Sequence, residues 1–463
     1  MNNKIKRLIG IVCAVCITAS MCGCGTGNKA ANDDVVTITL GDFFEDEAAN
    51  PEGYARNLER VKKFEELHPN VKIENAKWSF SLDTYMAKAE SGTLPTVYYI
   101  PLTEGSKVIE LGYAADITDE FKARGMYDNL NEFMLNNISK DGNIYLVPEG
   151  NYDEGIMVNI DLYKEAGFID DEGNLYQPET WEDLAQTAKT IKEKTGVDGF
   201  ALPTIGNCGG WRFMSIAWSY GTVFEKNVDG KWQAAFNSPE CAEAMQYISD
   251  LKWKYDVLPD NNLVELGRVT EMFASNSVAM CIANASTVDG LIDNYKYDKN
   301  NIGMIKLPAG PKRHVTLMGG GYRVIDKNAS PEQVKAAMDW LEFQGISVNL
   351  TDDMKENLKK NVENRAERGL VVGLDSVSPW KTSCEVTEYK SNLEKEYMNV
   401  DIKHIEKYND KEKIEYQAEE EIDAQALYAL LDSVIQVNKN ADILGLLEKA
   451  SKDFQKNNLD YAN

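Results

Sequence analysis

The sequence predicts an α/β fold made of two lobes, and three observations lead to this prediction. The chain has 463 residues, which favours two domains or one large bilobal unit over a single compact core. A β-branched apolar run at residues 35–40 is followed by helical apolar spacing at 54–67 and a short alternating strand at 71–73. This strand–helix–strand order is typical of parallel strands joined by a crossover helix.

Later segments continue the alternation of helices and strands. Apolar spacing at residues 82–90 indicates a second helix, and the run at 97–100 indicates another buried strand. Three further helix starts carry a hydroxyl side chain suited to capping the first turn, at Thr180, Ser238 and Ser330. Tight hairpin turns are predicted at Asp141-Gly142 and Asp229-Gly230.

The composition is that of a folded protein with an acidic surface. Hydrophobic residues make up 43% and charged residues 27%, which are ordinary globular proportions and argue against a disordered chain. The formal net charge is -25. Because binding to nucleic acid requires a basic surface that neutralises phosphates, we expect no nucleic-acid partner.

The first residues have the pattern of a secretory signal. Lys4, Lys6 and Arg7 precede an apolar run at residues 8–19 that is too short for a stable membrane span. Small residues then lead to Cys24 in a pattern that resembles a bacterial lipobox. We predict a lipoprotein signal peptide at 1–23, lipid attachment at Cys24 and a flexible tether at 24–34, on the extracellular face of the membrane. Cleavage by an ordinary signal peptidase is the alternative.

The cysteines do not form a metal or redox motif. Cys13 and Cys16 are spaced as C-x-x-C but lie inside the signal's apolar run. Four cysteines remain in the body of the chain, at wide and irregular spacing: Cys208, Cys241, Cys281 and Cys384. We interpret them as buried free thiols, with disulfides as the alternative.

Motifs for most enzyme classes are missing from the sequence. The three histidines are not spaced as zinc ligands, and neither a G-x-S-x-G elbow nor a Walker A loop occurs. The glycine-rich segments 206–210 and 319–321 lack the lysine and hydroxyl of a phosphate-binding loop, so a tight turn or close backbone approach is favoured there. We predict no catalytic residue, metal or cofactor. A glycoside hydrolase needs only two carboxylates, so it stays open as a rival class.

Residues 178–184, Pro-Glu-Thr-Trp-Glu-Asp-Leu, and eight other segments taken in order resemble the extracellular solute-binding proteins, family 1. These are maltose-binding-protein-like lipoproteins that serve sugar-importing ABC transporters. Residues 178–184 are the most specific match, and residues 348–416 match poorly. The other matching segments are residues 64–71, 91–95, 143–148, 157–159, 162–167, 278–280 with Asn284, 302–308 and 319–324.

The resemblance implies a type II periplasmic-binding-protein-like fold, with two α/β lobes, crossing hinge strands and a ligand held between the lobes. The lobe assignments that follow are 35–150 for the first part of lobe 1, 151–280 for the first part of lobe 2, 281–325 for the return to lobe 1, and 326–463 as mainly helical and mostly lobe 2.

A sugar offers apolar ring faces and a rim of hydroxyl groups, so its site needs aromatic rings and planar polar groups. Candidates should lie where strands end or where the chain crosses between lobes. The candidate ligand-binding residues on this basis are Phe43, Phe44, Glu104, Tyr152, Asp153, Trp211, Arg212, Asn284, Ser286 and Tyr322. Core packing is the competing role for each of them, and Arg212 leaves an acidic sugar open.

These inferences predict a substrate-binding lipoprotein that captures a carbohydrate, expected to be an oligosaccharide, and delivers it to the permease subunits of an ABC transporter. We expect a monomer that contacts the membrane through its lipid anchor. Two alternatives remain, a lipid-anchored glycoside hydrolase and a surface sugar receptor without a transporter.

Overall fold

The computed structural model describes residues 35–374, 377–418, 421–434 and 438–460. The predicted signal peptide, Cys24 and the tether through residue 34 lie outside these ranges. No helix in the described part of the chain combines the length and apolar character that crossing a bilayer would require.

Thirteen strands are assigned within the described residues. They are β1 Val36–Leu40, β2 Val71–Asn75, β3 Val97–Pro101, β4 Ser139–Lys140, β5 Asn143–Ile144, β6 Leu146–Asp153, β7 Gly155–Asn159, β8 Glu225–Val228, β9 Lys231–Ala234, β10 Met280–Ala283, β11 Ile302–Lys306, β12 Val315–Ile325 and β13 Glu415–Gln417.

Eighteen α-helices alternate with these strands in the same ranges. They are α1 Pro51–Leu67, α2 Leu82–Ser91, α3 Gly105–Glu110, α4 Thr118–Ala123, α5 Met126–Asn129, α6 Glu132–Ile138, α7 Ile160–Ala166, α8 Trp181–Thr195, α9 Cys208–Tyr220, α10 Pro239–Trp253, α11 Leu266–Ala274, α12 Ala285–Tyr295, α13 Pro331–Phe343, α14 Asp352–Glu367, α15 Glu385–Glu396, α16 Glu406–Asn409, α17 Ala424–Val434 and α18 Ile443–Phe454.

Local sequence signals explain several of these boundaries. Thr180 and Ser330 cap α8 and α13 with reciprocal capping boxes, and Ser238 accepts a hydrogen bond from Cys241 N at the start of α10. Both predicted hairpin turns are confirmed, since β4 pairs with β5 and β8 pairs with β9 in antiparallel fashion.

The first lobe is built on a sheet of six strands. Its order is β13-β12-β3-β1-β2, and β6 pairs with β12 in addition. The pairing of β1 with β2 and with β3 is parallel, as the opening strand–helix–strand pattern predicts. Helix α13 belongs to this lobe, because Ala337, Met338 and Trp340 are buried in its core and Gln333 Nε2 donates to Thr37 O.

The second lobe surrounds a three-stranded sheet in the order β10-β7-β11, with both neighbours antiparallel to β7. Its large core contains Trp181 from α8, Phe213 and Trp218 from α9, and Leu427 from α17. All four side chains are almost fully buried. The α/β fold with two lobes, each built around its own sheet, therefore agrees with the sequence prediction.

Within the described residues, two long strand segments cross between the lobes. The first crossing runs from β6 through Glu154 into β7. The second lies inside β12, where Leu317 is buried in the second core and Met318 in the first. The segment 281–325, predicted as the return to lobe 1, therefore includes α12 and β11, which still belong to the second lobe. The segment 326–463, predicted as mostly lobe 2, includes α13, which packs on lobe 1.

The four cysteines of the described chain are free, as interpreted from the sequence. Cys241, Cys281 and Cys384 are buried, whereas Cys208 is partly exposed at the start of α9. Burial raises the pKa of Cys241 and of Cys281 to about 12, because a thiolate is poorly solvated inside a core.

Thiol labelling of the native protein at pH 8 should therefore show one fast cysteine among these four. We expect Cys208 to react first, since Cys241 and Cys281 have little reactive thiolate and all three buried thiols are shielded from the reagent. Stopped-flow labelling with an aromatic disulfide reagent measures the rates, and Cys208→Ser should remove the fast phase. Rapid reaction of Cys241 or Cys281 would contradict their burial.

A candidate ligand cleft between the lobes

The two crossings bring the carboxyl end of the first sheet against the second lobe. Strands β1 and β3 end at this edge, and β12 passes it through the glycines at 319–321. The end of β10 lies beside the start of β7, since Ala283 pairs with Gly155. Parallel sheets bind ligands at such edges, so this cleft is the place to seek a site.

The glycine run of β12 makes room for two tyrosine rings. Gly319 pairs with Tyr152 of β6 and Gly321 pairs with Glu149, with an irregularity in the register between them, and neither glycine places a side chain over the sheet. A Cβ atom at Gly319 would lie 2.4 Å from the ring of Tyr152, and one at Gly321 would lie 2.1 Å from the ring of Tyr99. The two tyrosines therefore lie against bare backbone, and a side chain at either glycine would have to displace a ring.

A tryptophan from the second lobe joins these tyrosines. Trp211, in the first turn of α9, meets Tyr152 edge to face, with ring centroids 6.4 Å apart and an interplanar angle of 68°. All three rings are partly exposed. We call Trp211, Tyr152 and Tyr99 the aromatic strip. It runs from the second lobe across the first crossing onto the first sheet.

Polar groups border the lobe 1 end of the aromatic strip. Arg323 lies 5.6 Å from the centroid of the Tyr99 ring and forms an ion pair with Glu149 of β6. Asp42, which follows β1 with φ 58°, accepts hydrogen bonds from Phe80 N at 2.8 Å and Tyr99 N at 3.3 Å. Burial raises the pKa of Asp42, and this effect outweighs the lowering of the pKa by the two N–H groups and by the charge of Arg323.

Glu104 lies at the contact between the lobes. It ends a 3₁₀ turn, Leu102–Glu104, that contacts α17 of the second lobe. Burial raises the pKa of Glu104, while Lys107 Nζ at 4.0 Å lowers it and Asp423 raises it further. Glu104 is thus a buried acid that faces both lobes.

Asn284 and Ser286 lie at the cleft end of the second sheet, but at a helix start rather than at a crossing. Asn284 caps α12, and its Oδ1 accepts from Thr287 N and Ser286 Oγ, both at 3.0 Å. The chain continues into α12 and β11 before it crosses. The predicted return crossing at these two residues is corrected to Leu317–Met318.

Two predicted ligand residues point away from the aromatic strip. Tyr322 is 1% exposed and packs in the first core, because alternation along β12 places it on the face opposite Gly321. Asp153 lies on the opposite face of β6 from Tyr152 and is also 1% exposed. Its carboxylate accepts from Tyr408 OH and Lys411 Nζ, both at 2.8 Å.

Arg212 is part of a buried ion pair. Its Nε lies 3.3 Å from Glu154 Oε1, and both side chains are almost inaccessible. The guanidinium also donates to Cys208 O and lies 5.3 Å from the centroid of the Trp211 ring. The charge of Arg212 is therefore neutralised by Glu154 within the protein. Its guanidinium packs against the Trp211 ring.

Phe43 and Phe44 pack against the first core. The ring of Phe43 meets Trp340 edge to face at 4.9 Å, and Phe44 lies 6.1 Å from Tyr54. Sequence reasoning selected these two aromatics after β1 and passed over Asp42 directly before them. It also missed Tyr99, because the run at residues 97–100 was interpreted as a buried strand.

The glycine floor beneath the aromatic strip can be tested by one methyl group. Gly321→Ala should push the Tyr99 ring out of place, because the new Cβ would lie 2.1 Å from it. The ring end can move, so we expect a stability loss of about 1 kcal/mol and about tenfold weaker ligand binding. Denaturant unfolding and titration calorimetry measure the two effects.

Gly290→Ala is the matched control, since its Cβ would meet only Asn294 Nδ2 at 3.8 Å inside α12. Equal loss of affinity in both variants would contradict a role for the glycine floor.

Within the described residues, no group of three or more His, Cys, Asp or Glu side chains is placed to hold a metal ion.

Comparison with known proteins identifies relatives across most of the chain. Residues 59–349, well over half of the sequence, match the family model for bacterial extracellular solute-binding proteins. An uncharacterized ABC transporter extracellular-binding protein of Pyrococcus horikoshii is 24% identical over 376 residues, covering 75% of this chain and 80% of the relative.

Solved structures share the two-lobed fold. Maltose-bound MalE3 of T. maritima superposes with a TM-score of 0.62 at 16% identity, covering 91% of this chain and 99% of that one. The cyclic α-maltosyl-1,6-maltose binding protein of Arthrobacter globiformis gives 0.61 at 20% identity, covering 90% and 97%. UgpB of Mycobacterium tuberculosis, solved with glycerophosphocholine, gives 0.60 at 14% identity, covering 91% and 97%.

Proposed function

Because the chain belongs to the bacterial extracellular solute-binding protein family, we propose that it captures a neutral oligosaccharide in the cleft and delivers it to an ABC importer. The single observation that carries the proposal is the aromatic strip, which spans both lobes at the first crossing. Sugar rings have apolar faces that pack on aromatic rings, and successive rings suit successive sugar units. Maltose and a cyclic maltosyl-maltose are ligands of two proteins with this fold.

The charges around the cleft support a neutral ligand. Arg212 is neutralised by Glu154, and Arg323 by Glu149. The amino end of α9, which would otherwise attract an anion, is occupied by the carboxylate of Asp432, which accepts from Gly210 N at 2.6 Å and from Asn207 N. A sugar acid would find no strong positive charge free among these groups, so the acidic-sugar alternative is not favoured.

Capture requires the ligand to touch both lobes. Trp211 is carried by lobe 2, whereas Tyr99 is carried by lobe 1. A sugar that contacts both rings stabilises the closed arrangement by its difference in affinity for the closed and open forms. The importer would then recognise the closed shape. We expect the protein to be a monomer and to bind the sugar without cleaving any bond in it.

The proposed cellular setting follows from the first residues. A lipid on Cys24 would hold the protein outside the cell, near its permease. Cys24→Ala should release the protein from the membrane fraction into the medium. Retention of this variant in membranes would argue against the lipid anchor without affecting the ligand proposal.

The proposal is tested with purified protein and a panel of ligands. Maltooligosaccharides, xylooligosaccharides, ribitol and glycerophosphocholine are each mixed with the protein, and both thermal unfolding and product formation are followed. A ligand bound to the native state adds RT ln(1 + [L]/Kd), about 2.7 kcal/mol at a hundred times Kd. A raised Tm with intact oligosaccharide supports the proposal. Released sugar units would instead favour the hydrolase, and a response to glycerophosphocholine alone would overturn the sugar assignment.

A further inference from the structure

A cavity of about 380 Å³ lies between the lobes, and none of the three residues of the aromatic strip lines it. Phe133 of α6 lines it from the first lobe, and Glu225 at the start of β8 lines it from the second. Arg313, Tyr416 and Glu421 complete the part of the wall that matters here. None of the ten predicted ligand residues is among its described lining, and its volume is that of a small-molecule site.

Glu225 is an unusual group to find in this wall. The residue is 8% exposed, its Oε2 accepts from Ile422 N at 2.9 Å, and its Oε1 has no hydrogen-bond partner among the described residues. Burial raises the pKa of Glu225 to about 7, against the lowering effect of the backbone N–H groups of Ile422 and Asp423, and the charge of Asp423 adds to the rise. A buried carboxylate with an unused oxygen calls for a donor that carries positive charge.

The other charged groups around the cavity favour the same kind of ligand. Glu421, which is 5% exposed, adds a second buried acid to the wall. Arg313 is engaged elsewhere, since its Nε and Nη2 donate to Glu415 at 2.9 and 2.7 Å and its Nη1 donates to Gln417. The charge of Arg313 is therefore neutralised by Glu415, and Glu225 is left as the group in the wall that could pair with a cation.

Aromatic rings supply the apolar part of the wall. Phe133 and Tyr416 lie with ring centroids 5.8 Å apart. Such rings attract the carbon chain of an amine and, through their faces, its charge. We propose that this cavity is a second ligand site that binds a small organic cation through a primary ammonium group hydrogen-bonded to Glu225.

Occupancy of the cavity should be linked to the position of the lobes. Its walls come from α6 of the first lobe and from β8 and α9 of the second, so their spacing changes when the lobes move. The open and closed forms should therefore bind the cation with different affinities. Cation binding then changes the affinity of the cleft for its ligand, and ligand binding in the cleft changes the affinity for the cation by the same factor.

The test uses 1,4-diaminobutane as the probe and 1,4-butanediol as a neutral probe of equal length. Titration calorimetry of the purified protein at pH 8 should show one saturable site for the diamine and none for the diol. Glu225→Gln keeps an acceptor for Ile422 N but removes the charge, so diamine affinity should fall about tenfold or more. Glu90→Gln, an exposed acid on α2, is the control and should bind as the wild type does.

A second variant covers the case in which Glu225→Gln does not fold. Val223 is 54% exposed at the rim of the cavity, and Val223→Trp should block it while leaving the cores untouched. Diamine binding should also weaken below pH 7 as Glu225 takes up a proton, with Glu421, Asp423, Arg313 and Glu415 as the neighbouring charges. Absence of saturable binding at millimolar diamine, equal binding of the diol, or unchanged affinity in both variants would overturn the proposal.

Discussion

Trp211→Ala should reduce oligosaccharide affinity about thirtyfold. Trp211 is the part of the aromatic strip that lobe 2 supplies, and its ring meets Tyr152 at 6.4 Å across the boundary between lobes. Aromatic anchors at the centre of a binding site cost about 2 kcal/mol or more when truncated, which corresponds to this change in Kd. Titration calorimetry with the best ligand of the panel measures it.

The result depends on position and not on loss of a tryptophan as such. Trp253 on α10 is 45% exposed in the second lobe, and Trp253→Ala should bind the ligand with unchanged affinity. Tyr152→Ala should weaken binding by an amount similar to Trp211→Ala. Full affinity in both cleft variants would place the ligand away from the aromatic strip and so remove the observation on which the proposed function rests.

The fold could be predicted from the sequence because it depends on patterns that repeat along the chain. The apolar runs that become β1 and β3 are short, rich in β-branched or aromatic residues and bounded by glycine or proline, which favours strands over helices. Thr180 and Ser330 mark the starts of α8 and α13 with capping boxes. The return crossing was harder to place. Nothing local distinguishes the part of β12 buried in lobe 2 from the part buried in lobe 1.

The site was predicted less completely, for a geometric reason. Sequence identifies Tyr322 as an aromatic beside a glycine run, but only the pairing of β12 shows that Gly319 and Gly321 face the cleft while Tyr322 faces the core. A shift of one residue along a strand reverses the face. Tyr99 and Asp42 were passed over because their role depends on neighbours more than fifty residues apart in the chain.

Arg212 shows a second reason, which is that burial of a charge cannot be read from a single sequence. An arginine beside a glycine-rich loop suggests an anion site, yet its guanidinium lies 3.3 Å from Glu154 and both residues are inaccessible. Glu154 occupies the first crossing itself, between β6 and β7. The pair therefore ties α9 to the crossing strand and holds Trp211 in place.

Removal of one member of this pair should have the largest effect on stability. Arg212→Met leaves the carboxylate of Glu154 buried without its cation, so we expect the free energy of unfolding to fall by about 3–5 kcal/mol. Urea unfolding at pH 7 measures the change. Ligand affinity should also fall, because Arg212 lies behind the Trp211 ring at 5.3 Å.

The double variant Glu154→Leu with Arg212→Met separates this cost from a general packing defect. With both charges gone, no unpaired ion is left in the interior, and stability should return to within about 1 kcal/mol of the wild type. Arg268→Met is the exposed control, since its pair with Glu271 at 2.7 Å is about half exposed and should contribute less than about 1 kcal/mol. If Arg212→Met were no more damaging than Arg268→Met, Arg212 would not be neutralised by a buried partner, and a role for it in binding an acidic ligand would have to be reconsidered.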